Sequence, residues 1–125
     1  MTVYATTPAL ARPRLDVGLA FKNGWSAFTA DIVPLLVGTL IAGKQYGVSA
    51  AGLYRMMMLE SGGRRAVGGM YKGLFQYNPS TWAGSWNPWR RESISNGWAQ
   101  IRATAYALSK GMGPSQWPNT YPMAF

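Results

Sequence analysis

Residues 47–63 read GVSAAGLYRMMMLESGG. Ser49 suits a helix N-cap, because its hydroxyl can accept from a free N–H of the first turn. Ala50, Leu53, Tyr54, Met57 and Met58 recur at helical spacing, and the glycines at 62 and 63 end the run. The spacing predicts a strongly apolar helix whose last turn holds one carboxylate, Glu60. Glu60 follows Leu53 by seven positions and Met57 by three, so it shares their inward-facing side. Partial burial and the negative helix C-terminus both push such a carboxyl toward its neutral form. A carboxyl held protonated near neutral pH is what general-acid catalysis on an ether oxygen requires. The same residues also allow a structural role, with Glu60 in an ion pair with Arg64 or Arg65.

On the N-terminal side, residues 24–43 read GWSAFTADIVPLLVGTLIAG, the most apolar stretch. Its uninterrupted part, Ile32 to Gly43, is 12 residues, whereas a membrane-spanning helix needs about 20. The residues predict a short buried helix over Ile32 to Ala42, with Asp31 as N-cap, Pro34 in the first turn and Gly43 as the stop. A weak membrane anchor through residues 24–43 is the alternative. Residues 1–23, with Thr6, Thr7, Pro8 and Pro13, show no period and read as an arm.

On the C-terminal side, Arg64 to Trp89 is rich in Gly, Pro, Ser and Trp, and Gly68, Gly69 and Gly73 break any long helix. Met70 to Tyr77 suits short extended segments. Pro79 to Trp82 reads as a loop feeding a short helix, and Asn87-Pro88 as a turn. Glu92 to Lys110 predicts a second amphipathic helix, with Ile94, Trp98, Ile101, Ala105 and Leu108 on one face and Glu92 as a first-turn charge. Gly111, Gly113 and Pro114 end it. The tail SQWPNTYPMAF reads as packed irregular chain.

The chain has 125 residues, one domain's worth, and a formal net charge of +8 from 12 Lys+Arg and 4 Asp+Glu. It has no Cys and no His. Thiol nucleophiles, zinc-thiolate sites, imidazole bases and Ser-His-Asp triads are thereby excluded. The side-chain carboxylates are Asp16, Asp31, Glu60 and Glu92, too dispersed for a calcium loop or a two-metal site. No cofactor is expected. The basic balance points to an anionic neighbour: nucleic acid, anionic lipid or acidic wall polymer. No Lys/Arg run of five appears, which weakens a nucleic-acid reading.

Leu59-Glu60-Ser61-Gly62-Gly63 is followed by Gly73-Leu74-Phe75-Gln76-Tyr77-Asn78-Pro79-Ser80-Thr81-Trp82. This order resembles the soluble lytic transglycosylase group of the lysozyme-like superfamily. There a helix ends in Glu-Ser-Gly/Asn, a Gly-Leu-Met/Phe-Gln segment follows a variable loop, and a Pro-Ser-Thr-Trp/Phe segment comes close behind. Ser49 to Leu53, Trp86-Asn87-Pro88 and Ile101 to Leu108 are similar to the family's first catalytic helix, downstream turn and later helix. The resemblance covers roughly residues 46–117 and extends to lysozyme-like domains of phage virion proteins.

The resemblance implies a mainly α, compact lysozyme-like domain over 46–125, with a short extended or hairpin-like loop region. Residues 1–45 would form an N-terminal arm and apolar helix for docking or weak anchoring. Glu60 would be the catalytic acid/base. Ser61, Gln76, Tyr77, Phe75 and Tyr106 would bind substrate. No metal is implied.

The implied activity is lytic transglycosylation of peptidoglycan at the β-1,4 bond between N-acetylmuramic acid and N-acetylglucosamine. Glycan strands would be the partner, with other virion proteins. The setting would be a phage virion, in its tail or among its ejected proteins, acting in the periplasm or cell wall as the genome enters. The alternatives are a non-catalytic structural or ejected virion protein on a degenerate lysozyme-like fold, and an endolysin tethered at the inner membrane. The resemblance is strained at one point: Arg64 and Arg65 stand close to Glu60 in sequence, and a guanidinium contact would lower its pKa.

Overall fold

The computed structural model describes residues 25–64 and 69–125. The chain divides into two compact units, Met1–Pro34 and Leu35–Phe125. In the first, residues 25–34 are described and helical, and the arm expected over 1–23 lies outside the described residues. The described residues form six helices and no strand: α1 Trp25–Tyr46, α2 Ala50–Ser61, α3 Pro79–Trp82, α4 Gly97–Ser109, α5 Gly113–Gln116 and α6 Tyr121–Ala124. The class is mainly helical, as expected.

Helix α1 corrects the expected bounds. It extends beyond Ile32–Ala42 at both ends, so Asp31 and Pro34 lie inside it and Gly43 does not stop it. Gly43 serves a close approach instead. A Cβ there would sit 2.6 Å from the Val48 carbonyl oxygen and 3.2 Å from Ala50 Cα, so its missing side chain lets α1 meet the start of α2. Val48 N–H donates to Gly43 O at 2.9 Å across that contact. The stop is Gly47, with φ of 68°, the left-handed conformation that commonly ends helices. Leu35, Thr39 and Ala42 are buried along one face of α1. On the same face Gly38 lies against Ile101 and Trp98 of α4, where an added Cβ would sit 3.1 Å from each.

Helix α2 forms as its residues dictate. Ser49 Oγ accepts from Gly52 N at 3.0 Å, and Gly62, φ 68°, donates its N–H to Met58 O at 2.9 Å. Leu53, Met56 and Met57 are fully buried, each contributing about 1.5–3 kcal/mol of transfer free energy.

Helix α4 is a second correction. It starts at Gly97, not Glu92, and Asn96 caps it by accepting from Ala99 N at 3.0 Å. Glu92 is therefore not a first-turn charge; its backbone carbonyl accepts the Trp82 indole N–H at 2.9 Å. The inward face keeps Ile101 and Ala105 of the expected row and loses Trp98. Ala99, Gln100, Ile101, Ala103, Thr104, Ala105 and Ala107 are buried, while Trp98 is 41% exposed. The small residues allow close packing, and the indole lies at the edge of that face, against Gly38 of α1.

The tail is more regular than expected, folding into α5 and α6 with a turn between them in which Tyr121 N–H donates to Trp117 O at 2.9 Å. Helix α6 packs on α2. Arg55 donates Nε and Nη2 to Ala124 O at 3.1 and 2.7 Å, and the Phe125 ring covers Gly52 so closely that a Cβ there has no room.

Candidate active site around Glu60

The segment following α2 returns as a tight turn. Lys72 and Tyr77 form an isolated antiparallel bridge, with both N–H···O bonds at 2.9 Å. This is the hairpin-like loop expected, though without strands. Gly73 and Gln76 carry φ of 78° and 54°. The second is unusual for a residue with a Cβ, and such conformations persist only where the surroundings over-determine them.

Those surroundings are specific. Gln100 of α4 is fully buried. Its Oε1 accepts from Phe75 N at 2.8 Å, and its Nε2 donates to Lys72 O at 3.0 Å and to Ile94 O at 2.5 Å. A Cβ on Gly73 would collide with this amide. Trp117 Nε1 donates to Phe75 O at 2.9 Å. The Tyr77 hydroxyl bonds Thr104 Oγ1 at 2.8 Å. Trp82, Trp86 and Trp117 surround the Tyr77 ring with centroids 5.1, 6.1 and 5.5 Å away. Burial pushes the Tyr77 hydroxyl far up, so it stays protonated.

Glu60 is half-buried at the end of α2. Its Oε2 accepts from Thr120 Oγ1 at 2.6 Å, the tail reaching back across 60 positions. Burial raises the Glu60 pKa from its ordinary value, and the Thr120 hydroxyl, which favours the ionised form, opposes it more weakly. Arg64 turns elsewhere, donating Nε to Ser61 O at 2.9 Å. Arg65 lies outside the described residues.

The tail ties this carboxyl to the loop. Trp117 bonds Phe75 and Thr120 bonds Glu60. Three positions of chain span at most about 11 Å, so Glu60 and the 72–77 turn hang from one short stretch.

The other expected binding residues are distributed unevenly. Gln76 is half-buried and donates Nε2 to Gly73 O at 2.8 Å; its Oε1 has no partner among the described residues. Tyr106 is half-buried between Tyr46 and Trp89, with centroids 5.8 and 6.1 Å away in edge-to-face contact. Ser61, Phe75 and Tyr77 are all buried. Ser61 Oγ donates to Met57 O at 3.1 Å and accepts from Gly63 N at 3.1 Å, so it caps its own helix. Phe75 and Tyr77 build the core beneath the turn. Sequence reasoning missed Thr120, Trp117 and Gln100. Only Gln100 leaves a trace, as a polar amide between Ala99 and Ile101 on an apolar helix.

The carboxyl can donate a proton and, once ionised, take one back. Among the described residues no cluster of three or more Asp or Glu side chains could hold a metal ion. No family model, curated protein or solved structure matches the chain.

Proposed function

We propose that the protein is a peptidoglycan lytic transglycosylase using Glu60 as its single acid/base, on a lysozyme-like domain. The observation that supports this most directly is a half-buried carboxyl at the end of an apolar helix, held by one neutral donor and kept toward its protonated form. Protonated Glu60 gives its proton to the glycosidic oxygen, and the N-acetylglucosamine side leaves as an alcohol. The substrate's N-acetyl oxygen stabilises the oxocarbenium-like centre at C1 of the muramic acid. The Glu60 carboxylate then takes the proton of the muramic acid 6-hydroxyl as that oxygen bonds to C1. The product is a 1,6-anhydro ring and Glu60 is protonated again. No second carboxylate and no water enter, unlike the two-carboxylate pattern of most glycosidases. The Gln76 Oε1 is an acceptor for a sugar hydroxyl or amide beside the bond. The net charge of +8 favours an acidic wall, and a virion carrying the protein would bring it there.

A second reading is a non-catalytic structural protein on the same fold. It is favoured by the burial of Ser61, Phe75 and Tyr77 and by the absence of Glu60 from the lining of the two apolar grooves beside α2.

Mass spectrometry of peptidoglycan treated with the protein and with Glu60→Gln separates these readings. Anhydro-muropeptides from the wild type alone support the lyase. Reducing-end products would make it a hydrolase. No products from a folded wild type would favour the structural reading.

A further inference from the structure

Helix α1 has two apolar faces, and only one is used inside Leu35–Phe125. Leu35, Gly38, Thr39, Ala42 and Gly43 face the core. Leu36, Val37, Leu40 and Ile41 point the opposite way and are 40–61% exposed. An all-round apolar helix is ordinarily covered on every side. The exposed face continues across the molecule. Leu36, Leu40, Ala50, Ala51 and Tyr54 line one open groove of 320 Å³. Tyr54, Met58, Leu59 and Met123 line a second of 370 Å³, and Arg55 borders both. A run of exposed apolar side chains rimmed by cations is the kind of surface on which a partner or a membrane docks.

Charge identifies the occupant. Lys44 follows Leu40 and Ile41 by one helical turn, so it stands at the end of their row. Arg55 lies where the grooves meet, and no Asp or Glu lines either one. A second copy would bring a +8 chain and its own Lys44 and Arg55 against these cations, a like-charge juxtaposition that disfavours association. An anionic bilayer matches the cations with phosphate and accepts the leucines without a complementary shape. No helix among the described residues is long and apolar enough to cross a membrane, so the contact is peripheral.

We propose that the face formed by α1, α2 and Met123 docks on the surface of an anionic lipid bilayer. The apolar side chains enter the headgroup boundary and Lys44 sits at phosphate level, its stem along the apolar surface; Arg55, whose Nε and Nη2 are held by Ala124 O, adds its positive charge at the junction of the grooves. Lipid association needs no turnover at Glu60, so it stands or falls separately from peptidoglycan cleavage.

The test is flotation of the full chain with vesicles of phosphatidylcholine alone and of phosphatidylcholine with one-third phosphatidylglycerol. Wild type is expected to float with the anionic vesicles and not with the neutral ones. Replacing Leu36 and Leu40 by Asn, with the helical circular dichroism retained, is expected to weaken association by at least about tenfold. Lys44→Glu, a surface change that leaves the core alone, should weaken it several-fold. A chain that stays in solution with both vesicles overturns the proposal. So does flotation that neither variant alters, which would be unspecific charge attraction. A concentration-dependent dimer broken by the leucine variant would assign the face to a second copy and overturn it as well.

Discussion

Glu60 and Thr120 form the pair on which the proposed chemistry turns. Burial raises the Glu60 pKa, so the folded chain holds that proton to higher pH than the unfolded chain does. The contribution to stability is fully present below the unfolded carboxylate pKa and is lost as pH rises through the folded value. Glu60→Gln removes this dependence. Its melting temperature should fall less than that of the wild type between pH 4 and pH 7, read by thermal scans. The same variant should lose on the order of 10²–10⁴-fold in cleavage rate if Glu60 is the general acid. Thr120→Val deletes the donor that favours the ionised form. The Glu60 pKa should then rise further, and the alkaline limb of the pH–rate profile should move to higher pH. Thr120→Ser should restore the wild-type profile, and an unmoved limb in Thr120→Val would place Thr120 outside the titration of Glu60. Glu60 is legible in the sequence because its burial follows from the spacing of Leu53 and Met57 on its own helix. Thr120 is not, because a threonine among Pro, Asn and Tyr in a tail carries no period.

Among the elements, α2 is specified almost entirely by its own residues, while α1 and α4 are not. A helix-ending glycine and a glycine at a helix crossing look alike in a sequence; here Gly43 sits at the crossing and Gly47 ends the helix. Gly43→Ala should cost about 1–3 kcal/mol, because the new methyl meets the Val48 carbonyl. In α4, periodicity admits more than one face, and the run of alanines decides for close packing over burial of Trp98. That choice places Gln100 under the 72–77 turn. Gln100→Ala should destabilise by about 2–4 kcal/mol, since it removes volume and orphans the buried Phe75 N–H. Chemical denaturation measures both variants, with a Gln100→Glu control at low pH, where the protonated carboxyl still accepts from Phe75 N and donates to one of the two carbonyls that the amide bonds.

Taken as a whole, Leu35–Phe125 is closed by its tail. Trp117 bonds Phe75 across 42 positions, Thr120 bonds Glu60 across 60, and Arg55 bonds Ala124 across 69. Trp117→Ala should cost about 3–5 kcal/mol and lower the melting temperature by more than about 10 °C. It should also release the turn that carries Gln76, so hydrogen exchange at Phe75 and Tyr77 amides should accelerate more than at α2. Equal acceleration everywhere would mean that the tail supports the core at large and not the turn.

Ser49, Gly62 and the row of apolar residues before Glu60 already fix α2 in the linear chain, and the lack of His and Cys confines any chemistry to very few groups. These signals act within one or two turns, where spacing alone says which groups meet. The partner of Glu60, the brace beneath the turn, the inward face of α4 and the burial of Phe75 and Tyr77 are settled by packing between distant segments. Contacts across 25 to 69 positions depend on which faces interlock, and no local pattern records that.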